Sequence, residues 1–169
     1  VLHELAYQAM NKKTQPSYGW WIEQGATTSW ERWDGRGSRN HPMFGGGITW
    51  FYTDLAGMNP DPEMSGYRHI LFKPQPAGGL TSASYANKTA NGEASIRWVE
   101  ENGNFKMDLS VPVGSMATVY IPTENHKTVK EGNKRPKNSR AITFEGETDG
   151  YAIYKIRSGN YQFTSQKKR

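Results

Sequence analysis

Apolar and polar residues follow a helical spacing near the start of the chain and a strand-like alternation further on. In the first ten positions, apolar residues recur at Val1, Leu2, Leu5, Ala6 and Ala9. This spacing predicts the last turns of an amphipathic helix. A second helical stripe comprises Met43, Phe44, Ile48, Phe51, Tyr52 and Leu55. Gly57 is expected to end that second helix, because glycine readily adopts the left-handed conformation found beyond helix ends.

The start of the second helix carries conflicting signals. Asn40 is expected to cap it, with Pro42 tolerated in the first turn. Three consecutive glycines at 45–47 then weaken it considerably, because glycine lowers helix stability. Close approach of another helix or a ligand is the usual compensation for such glycines.

Beyond Pro62 the pattern becomes a series of short, alternating apolar runs. Predicted strands cover residues 67–73, 80–89, 93–100, 104–111, 117–121, 141–145, 150–158 and 160–165. Hairpin turns are predicted at Asn91-Gly92, Asn102-Gly103 and Ser158-Gly159-Asn160. Runs about ten residues apart with alternating apolar positions are typical of an antiparallel β-sandwich.

The sequence thus predicts an α + β protein in two parts. Residues 1–62 form the helical part, and residues 63–169 form the antiparallel β-sandwich. A chain of 169 residues is long enough to bury a core. Because Val1 opens inside a helical pattern and no initiator Met precedes it, we expect a fragment or a processed product.

A formal net charge of +5 would suit a nucleic-acid-binding protein, but the distribution of the charges argues against that class. Residues 1–62 hold five Lys/Arg against six Asp/Glu, and residues 63–169 hold sixteen against ten. The excess lies at Lys127, Lys130, Lys134, Arg135, Lys137, Arg140, Lys167, Lys168 and Arg169. The first run also contains Glu131, Gly132 and Pro136, so it is interpreted as a solvated loop. We expect no nucleic-acid partner.

The sequence also lacks the patterns that several other kinds of site or partner would require. No apolar run approaches the roughly 20 residues of a transmembrane helix, and no signal-peptide pattern opens the chain, so no membrane partner is expected. The absence of cysteine excludes disulfides and thiolate metal sites. No two of the four histidines have the close spacing of a metal site, and no nucleophilic serine motif or phosphate-binding glycine loop is present. We therefore expect neither a metal nor a cofactor.

The segment from Ser17 to Phe44 concentrates the candidate chemistry. Four of the six tryptophans lie there, together with three acids and one histidine, at Trp20, Trp21, Trp30, Trp33, Glu23, Glu31, Asp34 and His41. Aromatic faces stack on the C–H faces of sugars, and carboxylates bind hydroxyls or move protons at the anomeric centre. This composition favours one wall of a sugar-binding cleft.

Three motifs in a fixed order resemble a known family. They are EQGATTSWERWDG at 23–35, SRNHPMFGG at 38–46 and GYRHILFKPQP at 66–76. This series closely resembles the C-terminal end of bacterial α-L-rhamnosidases of glycoside hydrolase family 78. The resemblance implies the last helices of an (α/α)6 barrel, which holds the active site, followed by the β-sandwich. It also implies hydrolysis of terminal α-L-rhamnose with inversion and without a metal in the catalytic step.

The resemblance implies specific partners and leaves part of the site elsewhere. The substrate would be a rhamnose-containing glycoside, oligosaccharide or polysaccharide, and a polysaccharide would favour a periplasmic or secreted location. The general acid would lie upstream, so this chain would depend on the remainder of the parent polypeptide and be inactive alone. Two alternatives stay open: a non-catalytic carbohydrate-binding or structural β-sandwich, and an (α/α)6 hydrolase for another sugar.

The resemblance also assigns roles to Glu31 and His41. Glu31 falls on the family's general base, and its neighbour Arg32 could help to keep it ionised. His41 matches a histidine at the rhamnose site and is expected to bind a hydroxyl. The connection DGRGSRNH is shorter than in many family members. From the residues alone, Glu31 could instead be a surface or ion-pair residue, and His41 a cap or core residue.

The other candidate site residues are less sharply defined. Trp20, Trp30 and Trp33 are candidates for a sugar platform, although from the residues alone a buried core position is favoured for each of them. Asp34 could bind sugar hydroxyls or hold a nearby arginine. Thr27 and Thr28 are expected to cap a helix that carries Glu31.

Overall fold

The computed structural model describes residues 2–136 and 139–167. Val1 of the predicted first helix, Lys137 of the basic run and the tail residues Lys168 and Arg169 lie outside the described residues. The chain divides into two compact units. The first comprises the residues up to Phe51 together with Ala77–Gly79, and the second comprises Tyr52–Pro76 and the residues from Leu80 onward. The sequence-based boundary after residue 62 stays a prediction.

Short helices form the first unit. They are α1 at Leu2–Asn11, α2 at Tyr18–Glu23, a 3-10 turn at Pro42–Phe44 and α3 at Gly46–Trp50. The helix predicted at the start of the chain is confirmed as α1. Ser17 caps α2, since its side chain accepts a hydrogen bond from the Trp20 N–H at 3.0 Å. None of the described helices is long and apolar enough to cross a membrane.

The second predicted helix is broken, and its expected cap is wrong. The 3-10 turn is followed by α3 and then by a π-helical turn at Phe51–Leu55. The break falls at Gly45, the first of the three glycines, because glycine has a low helix propensity. His41, not Asn40, caps the first piece, because its Nδ1 accepts a hydrogen bond from the Met43 N–H at 3.1 Å. The predicted stop at Gly57 is confirmed by its left-handed φ of 81°.

Strands dominate the second unit. Within the described chain they are β1 at Met58–Pro60, β2 at His69–Phe72, β3 at Ser82–Thr89, β4 at Gly92–Glu101, β5 at Asn104–Pro122, β6 at Lys130–Glu131, β7 at Ile142–Thr148 and β8 at Tyr151–Gln166. Short 3-10 turns lie at Ser65–Tyr67 and His126–Thr128. The helical part followed by a mostly β part confirms the predicted fold class.

The strands belong to one sheet that works as two layers. In the first layer the order is β3-β4-β5-β8-β6, and in the second it is β1-β2-β5-β8-β7. The long strands β5 and β8 run through both layers. Rings from the two parts of β8 meet inside, since the centroids of Tyr154 and Phe163 lie 5.9 Å apart. Strands that change layer at a bend are a known way to build a sandwich.

Three details of the predicted strand pattern are wrong. The runs 104–111 and 117–121 are one strand, β5, with a register shift between Val111 and Met116. Likewise, Ser158-Gly159-Asn160 is not a hairpin turn but part of β8, where Gly159 lies opposite Val111. The glycine allows the strand to bend between layers without reversing it. In addition, β2 and β5 pair in parallel, whereas the sequence predicted antiparallel pairing.

The core of the second unit lies between the two layers. Trp98 of β4 is fully buried, and its ring stacks on Phe105 of β5 with centroids 5.7 Å apart. Its indole N–H donates to the Leu55 carbonyl at 2.9 Å, which satisfies the one polar group of the side chain. Leu55, the last residue of the π-helical turn, is thus hydrogen-bonded to a residue in the centre of this core.

A polar triplet with two buried members and one half-buried member, Asp61, lies in the second unit. His69 of β2 contacts the Asp61 carboxylate through Nδ1 at 2.7 Å and the Thr118 hydroxyl of β5 through Nε2 at 2.9 Å. His69 is 9% exposed and Thr118 is 8% exposed. Both ring nitrogens therefore have partners, and the connection between β1 and β2 is tied to the parallel strand pair.

Candidate functional site

Aromatic rings form the framework of the first unit. This aromatic cluster consists of Tyr18, Trp20, Trp21, Trp30, Trp33 and Phe44. The Trp33 ring packs against both Trp21 and Phe44, with centroid separations of 4.4 and 4.3 Å, and the Trp21 and Phe44 rings also contact each other at 5.7 Å. The Trp21 indole N–H also donates to the Trp33 carbonyl at 3.1 Å. Since Trp21 is 2% exposed, α2 buries this residue and fixes Trp33 beside it.

Glu31 lies in a loop, not on a helix. This acid loop, residues 29–41, folds back on itself: the Glu31 N–H donates to the Ser38 carbonyl and the His41 N–H donates to the Ser29 carbonyl, both at 2.8 Å. The expected helix cap at Thr27 and Thr28 is therefore wrong. Thr28 instead donates its hydroxyl to the Arg39 carbonyl across the base of the loop.

The physical reason for the loop is its glycine content. Gly35 and Gly37 both have left-handed φ values, of 75° and 81°. Such residues interrupt a regular helix and turn the chain sharply. The motif that carries Glu31 is consequently a tight turn closed by its own hydrogen bonds.

One carboxylate oxygen of Glu31 is held by the main chain. The Ser38 N–H donates to Glu31 Oε2 at 2.8 Å, so the side chain takes the place that a carbonyl would occupy in a regular strand pair. Glu31 is half-buried. A carboxylate held in this way has a defined orientation, which a general base needs.

Asp34 is held by arginines at the tip of the acid loop. Its carboxylate accepts from the Arg36 main-chain N–H at 3.1 Å and from the Arg36 Nε at 2.8 Å. Arg32 Nε lies further away, at 3.4 Å. The hydrogen bond from the Arg36 main chain, followed by that from its side chain, lowers the pKa of Asp34 from 3.8 to about 2. Asp34 is therefore ionised throughout the physiological range.

An open pocket of about 330 Å³ brings three of the sequence-predicted site residues together. Its lining consists of Gln15, Glu31, Arg32, Trp33, Asp34 and Phe44. A base candidate, an aromatic ring and a permanently charged carboxylate thus share one depression. These are the chemical groups that a sugar site requires.

The remaining three predicted site residues lie outside this lining. Trp30 is 5% exposed, and the Arg39 guanidinium lies 4.7 Å from its ring centroid. Trp20 is half-buried with its ring edge-on to Trp30 at 6.3 Å. His41 is half-buried, and because Nδ1 accepts from Met43, its neutral ring carries the proton on Nε2. Sugar contacts by these residues stay predictions, and the burial of Trp30 favours the core alternative.

The sequence analysis missed some members of the site. Gln15 and Phe44 line the pocket, and Ser38 contributes only its main-chain N–H. The spacing of Gly35 and Gly37 signals a tight turn and could have pointed to Ser38. Nothing in the local pattern marks Gln15. Among the described residues, no group of three or more His, Cys, Asp or Glu side chains is arranged to hold a metal ion.

Two protein families match consecutive parts of the chain. Residues 2–55 match the bacterial α-L-rhamnosidase six-hairpin glycosidase domain. Residues 57–136 match the bacterial α-L-rhamnosidase C-terminal domain. The two matches meet at the end of the π-helical turn.

Known relatives extend this similarity over almost the whole chain. An α-L-rhamnosidase of Streptomyces avermitilis is 33% identical over 95% of this chain, which spans 16% of that protein. The crystal structure of a Streptomyces avermitilis α-L-rhamnosidase complexed with L-rhamnose matches with a TM-score of 0.86 at 32% identity, covering 96% of this chain and 16% of that one.

A second solved structure shows the same relation. The α-L-rhamnosidase from Dictyoglumus thermophilum matches with a TM-score of 0.84 at 38% identity, covering 97% of this chain and 19% of that one. The chain therefore spans less than a fifth of the length of these relatives. The two family matches and the shared fold together lead to one conclusion: this chain belongs to the bacterial α-L-rhamnosidase family, as the end of its six-hairpin glycosidase domain followed by its C-terminal domain.

Proposed function

We propose that this chain supplies the general-base side of the active site of an inverting α-L-rhamnosidase. The substrate is a terminal α-L-rhamnose on a glycoside, oligosaccharide or polysaccharide. The observation that carries the proposal is the Glu31 carboxylate, which is held by the Ser38 N–H in a pocket shared with Trp33 and Asp34.

Glu31 acts on water in this reaction. Inversion requires two carboxyl groups roughly 6.5–9.5 Å apart on opposite sides of the sugar. As one of the pair, Glu31 removes a proton from the water that attacks the anomeric carbon. The protonated partner, which assists the leaving group, belongs to the remainder of a longer polypeptide. The chain alone is therefore inactive.

The neighbouring residues bind the sugar. The Trp33 ring offers an apolar face to the C–H groups of rhamnose. Asp34 accepts hydrogen bonds from hydroxyls, because its arginine partners keep it ionised. His41 donates from Nε2 to a hydroxyl, since its Nδ1 is engaged with Met43.

The decisive experiment is Glu31→Gln in the full-length enzyme that carries this chain. The glutamine side-chain oxygen can still accept from the Ser38 N–H, so the loop is retained while the base is lost. We expect kcat for an aryl α-L-rhamnoside to fall by several orders of magnitude with an unchanged unfolding temperature. Glu23→Gln is the matched control, because Glu23 lies outside the pocket and its carboxylate forms an exposed ion pair with Lys13 at 2.9 Å. Wild-type turnover by Glu31→Gln would refute the proposal.

The stereochemical part of the proposal has its own test. Proton NMR of the first-formed product shows which anomer of rhamnose is released before mutarotation. Inversion predicts the β-anomer from an α-rhamnoside. Initial release of the α-anomer would contradict the inverting mechanism even if Glu31 proved essential.

A non-catalytic sugar-binding role for the second unit is the competing function. Its outer face has an open groove of about 580 Å³, lined in part by Ser84, Arg97, Asp108 and Gln162 on four neighbouring strands. Titration of this chain with rhamnose oligosaccharides, monitored by NMR, separates the two functions. Shift changes confined to this groove would favour the binding module, whereas changes at the acid loop would favour the catalytic assignment.

A further inference from the structure

The acid loop also contains main-chain contacts that hold the Glu31 side chain in place. The Glu31 main-chain N–H and the Glu31 side chain both pair with Ser38, the first to its carbonyl and the second to its N–H, each at 2.8 Å. Among the described residues no hydrogen-bond donor contacts the other carboxylate oxygen, Oε1. One oxygen is thus anchored, and the other is left to accept a proton.

This anchoring requires glycine at position 37. A Cβ atom built on Gly37 would lie 2.7 Å from Glu31 Oε2 and 3.2 Å from its Cδ. In addition, the φ of Gly37 is 81°, which side-chain-bearing residues rarely adopt. A methyl group here would both strain the turn and push the carboxylate away from the Ser38 N–H.

We propose that Gly37 and the Ser38 main-chain N–H are positioning elements for Glu31, which orient its free oxygen toward the attacking water. This inference rests on the proposed function of Glu31. Neither element touches the substrate, so both act through the carboxylate. Orientation of this kind affects the chemical step, because a misplacement of about 1 Å can cost on the order of 10²-fold in rate.

The chain offers a matched control for the strain of the turn. Gly25 has nearly the same φ, 78°, and a Cβ atom there would meet nothing within 4 Å. Gly25→Ala therefore introduces the same backbone strain without a collision. Any difference between Gly37→Ala and Gly25→Ala reports the contact with Glu31.

The first experiment measures kcat and KM of both variants in the full-length enzyme. We expect Gly37→Ala to lower kcat by about 10²-fold with KM within about threefold of wild type, and Gly25→Ala to change kcat by no more than about twofold. Equal kcat values for the two variants, alongside an inactive Glu31→Gln, would overturn the positioning role and leave the proposed function intact. Wild-type turnover by Glu31→Gln would instead refute the proposed function.

The second experiment needs no activity and no folded Gly37→Ala variant. In NMR spectra of the wild-type chain, the Ser38 amide proton should exchange slowly with solvent, because it donates to Glu31 Oε2. This protection should be lost in Glu31→Ala and should persist in Gly25→Ala. An unprotected Ser38 amide in the wild type, or equal protection in Glu31→Ala, would show that the contact does not exist and would overturn the inference.

Discussion

Asp34 stabilises the tip of the acid loop through its charge. Its carboxylate lies 2.7 Å from Arg36 Nη2 and accepts the Arg36 main-chain N–H. Its pKa is lowered to about 2 in the folded chain, so the ionised form stabilises the fold at any pH above the ordinary value of 3.8. That stabilisation is lost as the pH falls through about 2, because both folded and unfolded states are then protonated.

We expect Asp34→Asn to lower the unfolding temperature at neutral pH and to have little effect near pH 2. The difference between wild type and variant should shrink progressively below about pH 4. Thermal unfolding followed by circular dichroism over this range checks the prediction. Glu101→Gln, at the exposed end of β4, should show no such pH dependence. A difference for Asp34→Asn that is the same at both ends of the range would contradict the charge-based explanation.

Trp30 and Trp33 should separate into a structural and a binding residue. Trp30 is almost fully buried, so Trp30→Ala should lower the free energy of unfolding by about 3–5 kcal/mol. Trp33 lines the pocket beside Glu31, so Trp33→Leu should raise KM for a rhamnoside several-fold. Urea unfolding and steady-state kinetics measure the two effects. A change in KM for a folded Trp30→Phe variant would show that Trp30 contributes to sugar binding and would contradict its purely structural role.

For single residues, the sequence indicated which residue types form the pocket better than it indicated which neighbours each of them contacts. Glu31, Trp33 and Asp34 stand close together in the sequence, so a tight turn brings all three to one pocket. Trp30 and His41 look equally suitable in the sequence. In the structure, however, Trp30 is buried by packing, and His41 caps the 3-10 turn through Nδ1. Both the burial of Trp30 and the cap formed by His41 depend on neighbours that come close only when the loop is folded. The Ser38 N–H was missed because the spacing of Gly35 and Gly37 signals only a tight turn, and which main-chain donor meets the Glu31 carboxylate depends on the folded loop.

The connection between β1 and β2 depends on a buried hydroxyl. Thr118 of β5 pairs with His69, which pairs with Asp61 in that connection. Thr118→Val keeps the shape of the side chain but leaves His69 Nε2 without its partner. We expect a loss of about 1–3 kcal/mol in the free energy of unfolding, measured by urea denaturation. Thr143→Val on exposed β7 is the control, and equal effects of the two changes would contradict this role.

At the element scale, local signals predicted strands and tight turns, but not how long strands continue. Asn91-Gly92 and Asn102-Gly103 are confirmed as turns between β3, β4 and β5. The signal at Ser158-Gly159-Asn160 is equally strong locally, yet β8 continues through it because Val111 of β5 pairs there. A partner some 50 residues away in the sequence decides between turn and bend. The parallel pairing of β2 with β5 is non-local in the same way.

At the scale of the whole molecule, the first unit exposes several large apolar side chains. Leu2 is 79% exposed, Leu5 54%, Ile22 69% and Met43 57%. Helix α1 has no buried residue at all. Since the chain spans less than a fifth of its solved relatives, we infer that the rest of the helical domain covers these side chains in a full-length enzyme.

This inference predicts a context-dependent effect of Leu5→Glu. In the present chain the unfolding free energy should change by less than about 0.5 kcal/mol, because the residue is exposed. In the full-length enzyme the loss should reach about 1.5–3 kcal/mol, the value of burying a leucine side chain. Gln8→Glu adds the same charge to α1 and should be mild in both. A mild effect of Leu5→Glu in the full-length enzyme would show that this face stays uncovered.

The sharing of β5 and β8 between both layers has a consequence for synthesis on the ribosome. Neither layer can complete its hydrogen bonding until β8, the last of the described strands, has left the exit tunnel. Until then the long edge of β5 waits unpaired, with its apolar face open to other chains. The second unit should therefore fold late and all at once, and its newly made β5 should be an early client for chaperones.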